Sequence, residues 1–134
     1  VDWTIASDER DKTDIVDFTH GLDYVNQLRS VNFVWDKRLH YVEEQVDENG
    51  DLIPLTDEDI MNAIPDGSKK DSEVQLGFLA QEVQAIEDSL GIDNHCIVNT
   101  KRAASYGMTN SKMIPVLVNA IQELSAKVTA LENA

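Results

Sequence analysis

Residues 111–134 read "SKMIPVLVNAIQELSAKVTALENA", and within them Ile114, Leu117, Ile121, Leu124, Val128 and Leu131 recur at alternating spacings of three and four. That pattern is the a/d seam of a coiled coil, on a helix that starts near Ser111. Pro115 must then lie close to the helix start, where its missing N–H costs little. The seam is too short for a robust isolated coil. A core helix of a monomer would use the same spacing. The seam nevertheless runs nearly to residue 134 with no later segment to cover it, so self-association is the expected use. Alternation of Ile and Leu leaves the strand number open.

Upstream of this seam the signals are shorter. "VQLGFLAQEVQAIEDSLG" (residues 74–91) places Leu79, Val83, Ile86 and Leu90 on one helical face, with Gly91 as a C-terminal stop. "NHCIVNT" (94–100) reads as a short strand, and "KRAASYGMTN" (101–110) as a connection turning at Gly107. Nearer the start, "DFTHGLDYVNQLRS" (17–30) sets Phe18, Leu22, Val25 and Leu28 at helical spacing behind Asp17 as N-cap, although Gly21 weakens the helix by about 1 kcal/mol. "VNFVWDK" (31–37) alternates Val31, Phe33 and Trp35 with Asn32, Val34 and Asp36, the pattern of a half-buried strand.

Residues 41–75 form the least compact part. "YVEEQVDENGDLIPL" predicts two strand arms around Asn49-Gly50, the dipeptide most suited to a tight hairpin turn. A short helix capped by Thr56 should follow, then turn residues Pro65, Asp66 and Gly67. So polar a stretch has little to pack against in its own subunit and is expected to lie on a neighbouring surface. Asp47, Asn49, Asp51 and Glu58 imitate positions one, three, five and twelve of a calcium loop, but position six is Leu52 rather than Gly, so the hairpin is preferred and no metal is expected.

The composition narrows the function classes. The chain has 134 residues, 42% of them hydrophobic and 27% charged, which suits one globular domain near the size where oligomers help. A net charge of −14, with basic residues scattered in pairs, excludes a nucleic-acid face. One cysteine, Cys96, rules out an internal disulfide and any multi-cysteine zinc site. No apolar run approaches the roughly 20 residues needed to cross a bilayer, and neither a phosphate loop nor a metal constellation is present, so no cofactor is expected. Trp3, Trp35 and Tyr106 read as core or interface aromatics. The sequence begins at Val1, without a signal-peptide pattern, and is expected to be part of a longer polypeptide.

"TIASDERDKTDIVDF" (residues 4–18) sets Ser7, Arg10 and Lys12 among acids. It is either a solvated leader or a place where Ser7 is a nucleophile and Lys12 its base. "SDERDK" resembles the S-D-x-R-x-K signature that opens peptidase family S74, the intramolecular chaperone domain. "LGFLAQEVQAI" is similar to that family's G-[FL]-[IL]-A-Q-E-V segment, and "SYGMTNSKMIPVLVNAIQELSAKVTALE" to its closing strand end and helix. The three blocks occur in the family's order and together span almost the whole chain.

The resemblance implies an α+β fold: a helical body with short strands, a protruding hairpin arm (here 41–75) and a C-terminal helix in a homotrimeric bundle. Its trimer interface would be Ile114, Leu117, Ile121, Leu124, Val128 and Leu131. Such domains close the tail spikes, tail fibres or neck appendages of phages, assist folding and trimerisation of the stalk ahead of them, and then cut themselves free. Carried over, residues 1–6 end the stalk, 7–134 form the chaperone domain, Ala6–Ser7 is the scissile bond, Ser7 the nucleophile and Lys12 its partner, with Asp8 and Arg10 as orienting groups. The implied partners are two further copies and the upstream stalk, without nucleic acid or membrane, in the host cytoplasm during virion assembly. The departure is Gln75, where many relatives carry a histidine. The alternative is a trimerisation or adhesion domain that does not cleave and stays attached to the fibre.

A serine–lysine pair needs a neutral amine, whereas an ordinary lysine titrates at ~10.4. A nearby cation such as Arg10 would favour the neutral form, while Asp8, Glu9, Asp11 and Asp14 favour the ammonium, so desolvation is required. Residues five apart lie on opposite faces of a strand and about 140° apart on a helix. Either a turn folds Lys12 back onto Ser7, or the lysine comes from a neighbouring subunit.

Overall fold

The computed structural model describes residues 4–93 and 96–134. Trp3 and the Asn94-His95 start of the expected strand lie outside the described residues. The described chain is α+β: helices α1 (Leu22–Val25), α2 (Asp57–Asn62), α3 (Ala80–Ser89) and α4 (Met113–Glu132), and strands β1 (Val31–Phe33), β2 (Gln75–Gly77), β3 (Val98–Asn99) and β4 (Gly107–Met108). Two small antiparallel sheets result, β1 with β2 and β3 with β4.

Val83 and Ile86 are buried on α3 as their spacing requires. They meet Tyr24 of α1, Ile97 and Val98 at β3, and Met113 and Val116 of α4 in one apolar cluster. The α3 helix stops where Gly91 adopts φ +69°, a left-handed conformation that glycine enters without steric penalty. The Gly91 N–H donates to the Asp88 carbonyl and the Ile92 N–H to that of Glu87, the paired bonds of a Schellman cap. Leu79, expected on the buried face, instead precedes the helix and is exposed.

The helix expected over 17–30 shrinks to Leu22–Val25. Its start is set by packing rather than by Asp17. A Cβ at Gly21 would lie 2.8 Å from the Ala120 N and 2.9 Å from the Asn119 carbonyl carbon, so only glycine lets the chain pass so close to α4. Asn119 Nδ2 donates to the carbonyls of Phe18 and His20, and Glu123 Oε2 accepts the Leu22 N–H. The α4 helix thus fastens the segment leading into α1.

The strand expected over 31–37 ends at Phe33, because β2 offers only three partners: Gly77 to Val31, Leu76 to Asn32 and Gln75 to Phe33. Trp35 stays exposed, edge-on to Phe33 with the Lys37 ammonium over its ring. The polar excursion leaves through β1 and returns through β2. Its base is knit by the Gly67 N–H to Asp36, the Lys69 N–H to the Tyr41 hydroxyl, and the Asp71 N–H to the Trp35 carbonyl.

Within the excursion the two arms reduce to one bridge, Val46 to Leu52. The loop between them is not a two-residue Asn-Gly turn. Asp47 Oδ1 accepts the N–H groups of Asn49 and Asp51, and only Gly50 turns left-handed, with φ +83°. Thr56 caps α2 as expected: its hydroxyl accepts the Asp59 N–H while the Asp59 carboxylate accepts the Thr56 N–H. Exposed ion pairing between Arg102 and Asp57 ties α2 to the β3–β4 connection. Gly107, expected in a turn, lies in β4; the reversal falls earlier, where the Ser105 N–H bonds the Arg102 carbonyl.

Candidate functional site

Asp8 begins a tight 3-10 turn over Glu9–Asp11 by accepting the Arg10 N–H at 2.9 Å. Main-chain bonds from Asp11 N to Asp8 O and from Lys12 N to Glu9 O close it. The turn reverses the chain and sets Lys12 Nζ 2.7 Å from Ser7 Oγ, to which it donates a hydrogen bond. Of the two routes open to Lys12, the described chain takes the one in which a turn folds it back onto Ser7. No second protomer is needed for the contact.

Asp8 and Arg10 grip each other. The Arg10 guanidinium donates through Nε and Nη2 to the Asp8 carboxylate, with a closest approach of 2.6 Å. That guanidinium holds the Asp8 carboxyl below its ordinary range, and the carboxylate in turn pushes Arg10 up. The cation that was expected to favour a neutral lysine is therefore spent on Asp8. Residues 4–19 are all exposed, Ser7 and Lys12 included. The described residues do not bury the pair.

The two described histidines are engaged away from Ser7 and Lys12. His20 Nδ1 pairs with Asp23 Oδ2 at 2.7 Å, which holds the Asp23 carboxyl low, and the His40 carbonyl accepts from Lys69 Nζ. Gln75 stands in β2 opposite Phe33. Among the described residues no cluster of three His, Cys, Asp or Glu side chains could hold a metal.

A second constellation escaped the sequence. Glu87 of α3 is 4% exposed and, among the described residues, has no cation beside it. Its carboxylate instead accepts the Tyr24 hydroxyl at 2.6 Å, the Cys96 N–H at 2.9 Å, and longer bonds from the N–H groups of Ile97 and Val98. Successive N–H groups turned toward one anion form a nest, and here the anion belongs to the chain itself. Burial and the Glu87 charge drive the Tyr24 phenol far above its usual range, and burial followed by the same charge pushes the Cys96 thiol up. The available signal was position: Glu87 lies four residues after Val83 and three before Leu90, on the apolar stripe.

The seam residues of α4 stand apart from that core. Met113, Val116 and Ala120 face the body, whereas Ile114, Leu117, Ile121, Leu124, Val128 and Leu131 are between 41% and 76% exposed. Among the described residues nothing covers this apolar stripe. Pro115 falls in the first turn of α4, which a 3-10 turn over Asn110–Lys112 leads into, so the α-helix starts just after the expected Ser111. No described helix is long and apolar enough to cross a membrane.

Fold and geometry define a small α+β domain that carries a serine–lysine contact ahead of its body. The family model for the chaperone of endosialidase, peptidase family S74, matches residues 7–92, and the chain belongs to that family. No curated protein and no solved structure matches the chain. Membership supports a chaperone role, and the peptidase family implies self-cleaving activity in general. The match opens on Ser7 and closes at Ile92, just past the α3 cap, so α4 lies beyond it.

Proposed function

We propose that this chain is a C-terminal intramolecular chaperone that promotes folding and trimerisation of a phage fibre or spike protein and then releases itself at Ala6–Ser7. The observation that carries the reading is the 2.7 Å contact between Lys12 Nζ and Ser7 Oγ, at the residue where the family match begins. With the amine neutral, the same contact reverses: the hydroxyl donates its proton to Nζ while Oγ attacks the carbonyl carbon of Ala6. The Ala6–Ser7 C–N bond breaks, the Ser7 nitrogen takes up a proton, and Ala6 is left esterified to Ser7 Oγ. Water then hydrolyses the ester, freeing the Ala6 carboxylate and restoring the hydroxyl.

The exposure of Ser7 and Lys12 gives this chemistry a condition. A lysine in water is an ammonium, and lowering its proton affinity requires burial or a nearby unpaired cation. Covering of residues 4–19 by the stalk or by sister subunits supplies the burial, so the cut follows assembly. The exposed seam of α4 is the trimer contact in this reading, and the polar excursion 41–75 is the arm that reaches a neighbour. The setting is the host cytoplasm during virion assembly.

The test is mass spectrometry of the chain carrying its native upstream segment, beside Ser7→Ala and Lys12→Ala versions. A wild-type fragment beginning at Ser7, absent from both variants, is the expected result. Intact wild-type chains that are nonetheless trimeric would replace self-cleavage with a permanently attached assembly domain.

A further inference from the structure

The connection between β3 and β4 walls an open cavity of about 280 Å³ that shares no residue with the proposed cleavage. Lys101, Arg102, Ser105, Gly107 and Thr109 line it, with Asn99 at the end of β3. The wall is held firmly by the rest of the chain. Ala104 is buried, and its carbonyl accepts Arg38 Nη2 from the segment leading into the excursion. The Lys101 N–H donates to Asn99 Oδ1 at 2.9 Å, and the Thr109 N–H to the Ile97 carbonyl at 2.8 Å. A Cβ at Gly107 would meet nothing within 4 Å, so the space beside this residue is open.

The cations of this wall are only partly used. Arg10 and Arg29 each span both oxygens of a carboxylate, on Asp8 and Glu82. Arg102 differs, because its Nε and Nη2 meet on the single oxygen Oδ1 of Asp57, at 3.2 and 2.7 Å. A guanidinium is a planar fork of N–H donors, and the rest of this fork has no partner among the described residues. Lys101 makes no ion pair among the described residues either. We propose that the cavity binds a carboxylate ligand, with Arg102 and Lys101 meeting its charge and the Ser105 and Thr109 hydroxyls donating to its oxygens. Asp57 shows which chemistry Arg102 accepts at this place. The volume suits a short dicarboxylate or one acidic side chain rather than a drug-sized molecule. A net charge of −14 repels any free anion, so the local groups carry the binding and the affinity is modest, roughly millimolar. An occupant on Arg102 also sets a second negative charge beside Asp57. Binding and the Asp57–Arg102 tie therefore oppose each other, and by linkage the ligand loosens α2 from the body. Neither cleavage nor self-association is needed for this site to work.

Titration of the whole chain with succinate, and separately with a capped tri-aspartate peptide, followed by amide NMR, tests the site and its coupling. Saturable shifts are expected at Lys101, Ser105 and Thr109, accompanied by shifts along α2. Sodium chloride at equal ionic strength should not reproduce them. The probe with the lower midpoint identifies the source, free dicarboxylate or acidic side chain. Asp57→Asn removes the competing carboxylate and should tighten binding by up to about fivefold, the worth of an exposed ion pair, while α2 ceases to respond. Lys101→Ala should weaken binding by a similar factor and leave the response of α2 in place at saturation. The absence of saturable shifts with either probe, or shifts that chloride reproduces, would overturn the site. Saturation that Asp57→Asn leaves unchanged would overturn the competition with α2.

Discussion

Glu87 is a buried carboxyl group whose partners among the described residues are a hydroxyl and backbone N–H groups, and its loss would leave several buried donors without an acceptor. Its two oxygens are bonded by the Tyr24 hydroxyl and by the N–H groups of residues 96–98, holding α1, α3 and the start of β3 together. Glu87→Gln keeps the shape but turns an amide NH2 toward N–H donors, leaving some of them unpaired. The expected loss is about 2–4 kcal/mol, against about 1 kcal/mol for Tyr24→Phe, and urea denaturation of both variants measures the difference. Equal small losses would show that the nest is incidental. At this scale legibility divides cleanly. The contact of Ser7 with Lys12 was one of two arrangements that the sequence left open, and a local turn provides it. Glu87, Gly21 and Asn119 could not be read, because the groups that give them meaning lie many residues away along the chain: Tyr24 is 63 residues from Glu87, and Phe18 is 101 from Asn119.

Among elements, the contact of α1 with α4 shows how tertiary structure overrides a periodic pattern. Phe18, Leu22, Val25 and Leu28 do carry helical spacing, yet the carbonyls of Phe18 and His20 are taken by Asn119, so the helix cannot start before Gly21. By contrast α3 and α4 were legible, since each is long enough for the spacing to repeat and each has a local boundary signal, Gly91 or Pro115. The expected strand over 31–37 failed for a simpler reason: the length of β1 is set by β2, which no local pattern in 31–37 encodes. Gly21→Ala tests the α1–α4 junction. Its methyl would meet backbone atoms under 3.0 Å away, and since Gly21 precedes α1 as its N-cap no gain in helix propensity offsets an overpacking cost of about 1–3 kcal/mol. A thermal midpoint below wild type is expected, and a raised one would mean that α4 shifts to make room.

At the scale of the whole molecule, the interior is small and the apolar surface large. Buried hydrophobics come from α1, α3, β3 and α4, with Ala104 beside them, while Ile5, Ile15 and Val16 of the leader, Val46, Leu52 and Ile53 of the excursion and the α4 seam are exposed. Exposed apolar area on this scale marks interaction surfaces. The α+β class was legible from the mixture of short strand and helix patterns. If the seam is an interface, stability is shared with association and the melting temperature rises with protein concentration. Leu124→Glu should give a monomer whose melting temperature no longer depends on concentration, with the core signals of Tyr24 and Ile97 unchanged by NMR. A wild type with no such dependence would leave the stripe without a role in assembly.

The Ser7–Lys12 contact is closed by a single tight turn, the amine lying five positions after the hydroxyl. Rings that small close quickly. Under the proposed cleavage, therefore, a delay would have to act on water and protons rather than on distance: the blades already meet, and their surroundings would set the clock.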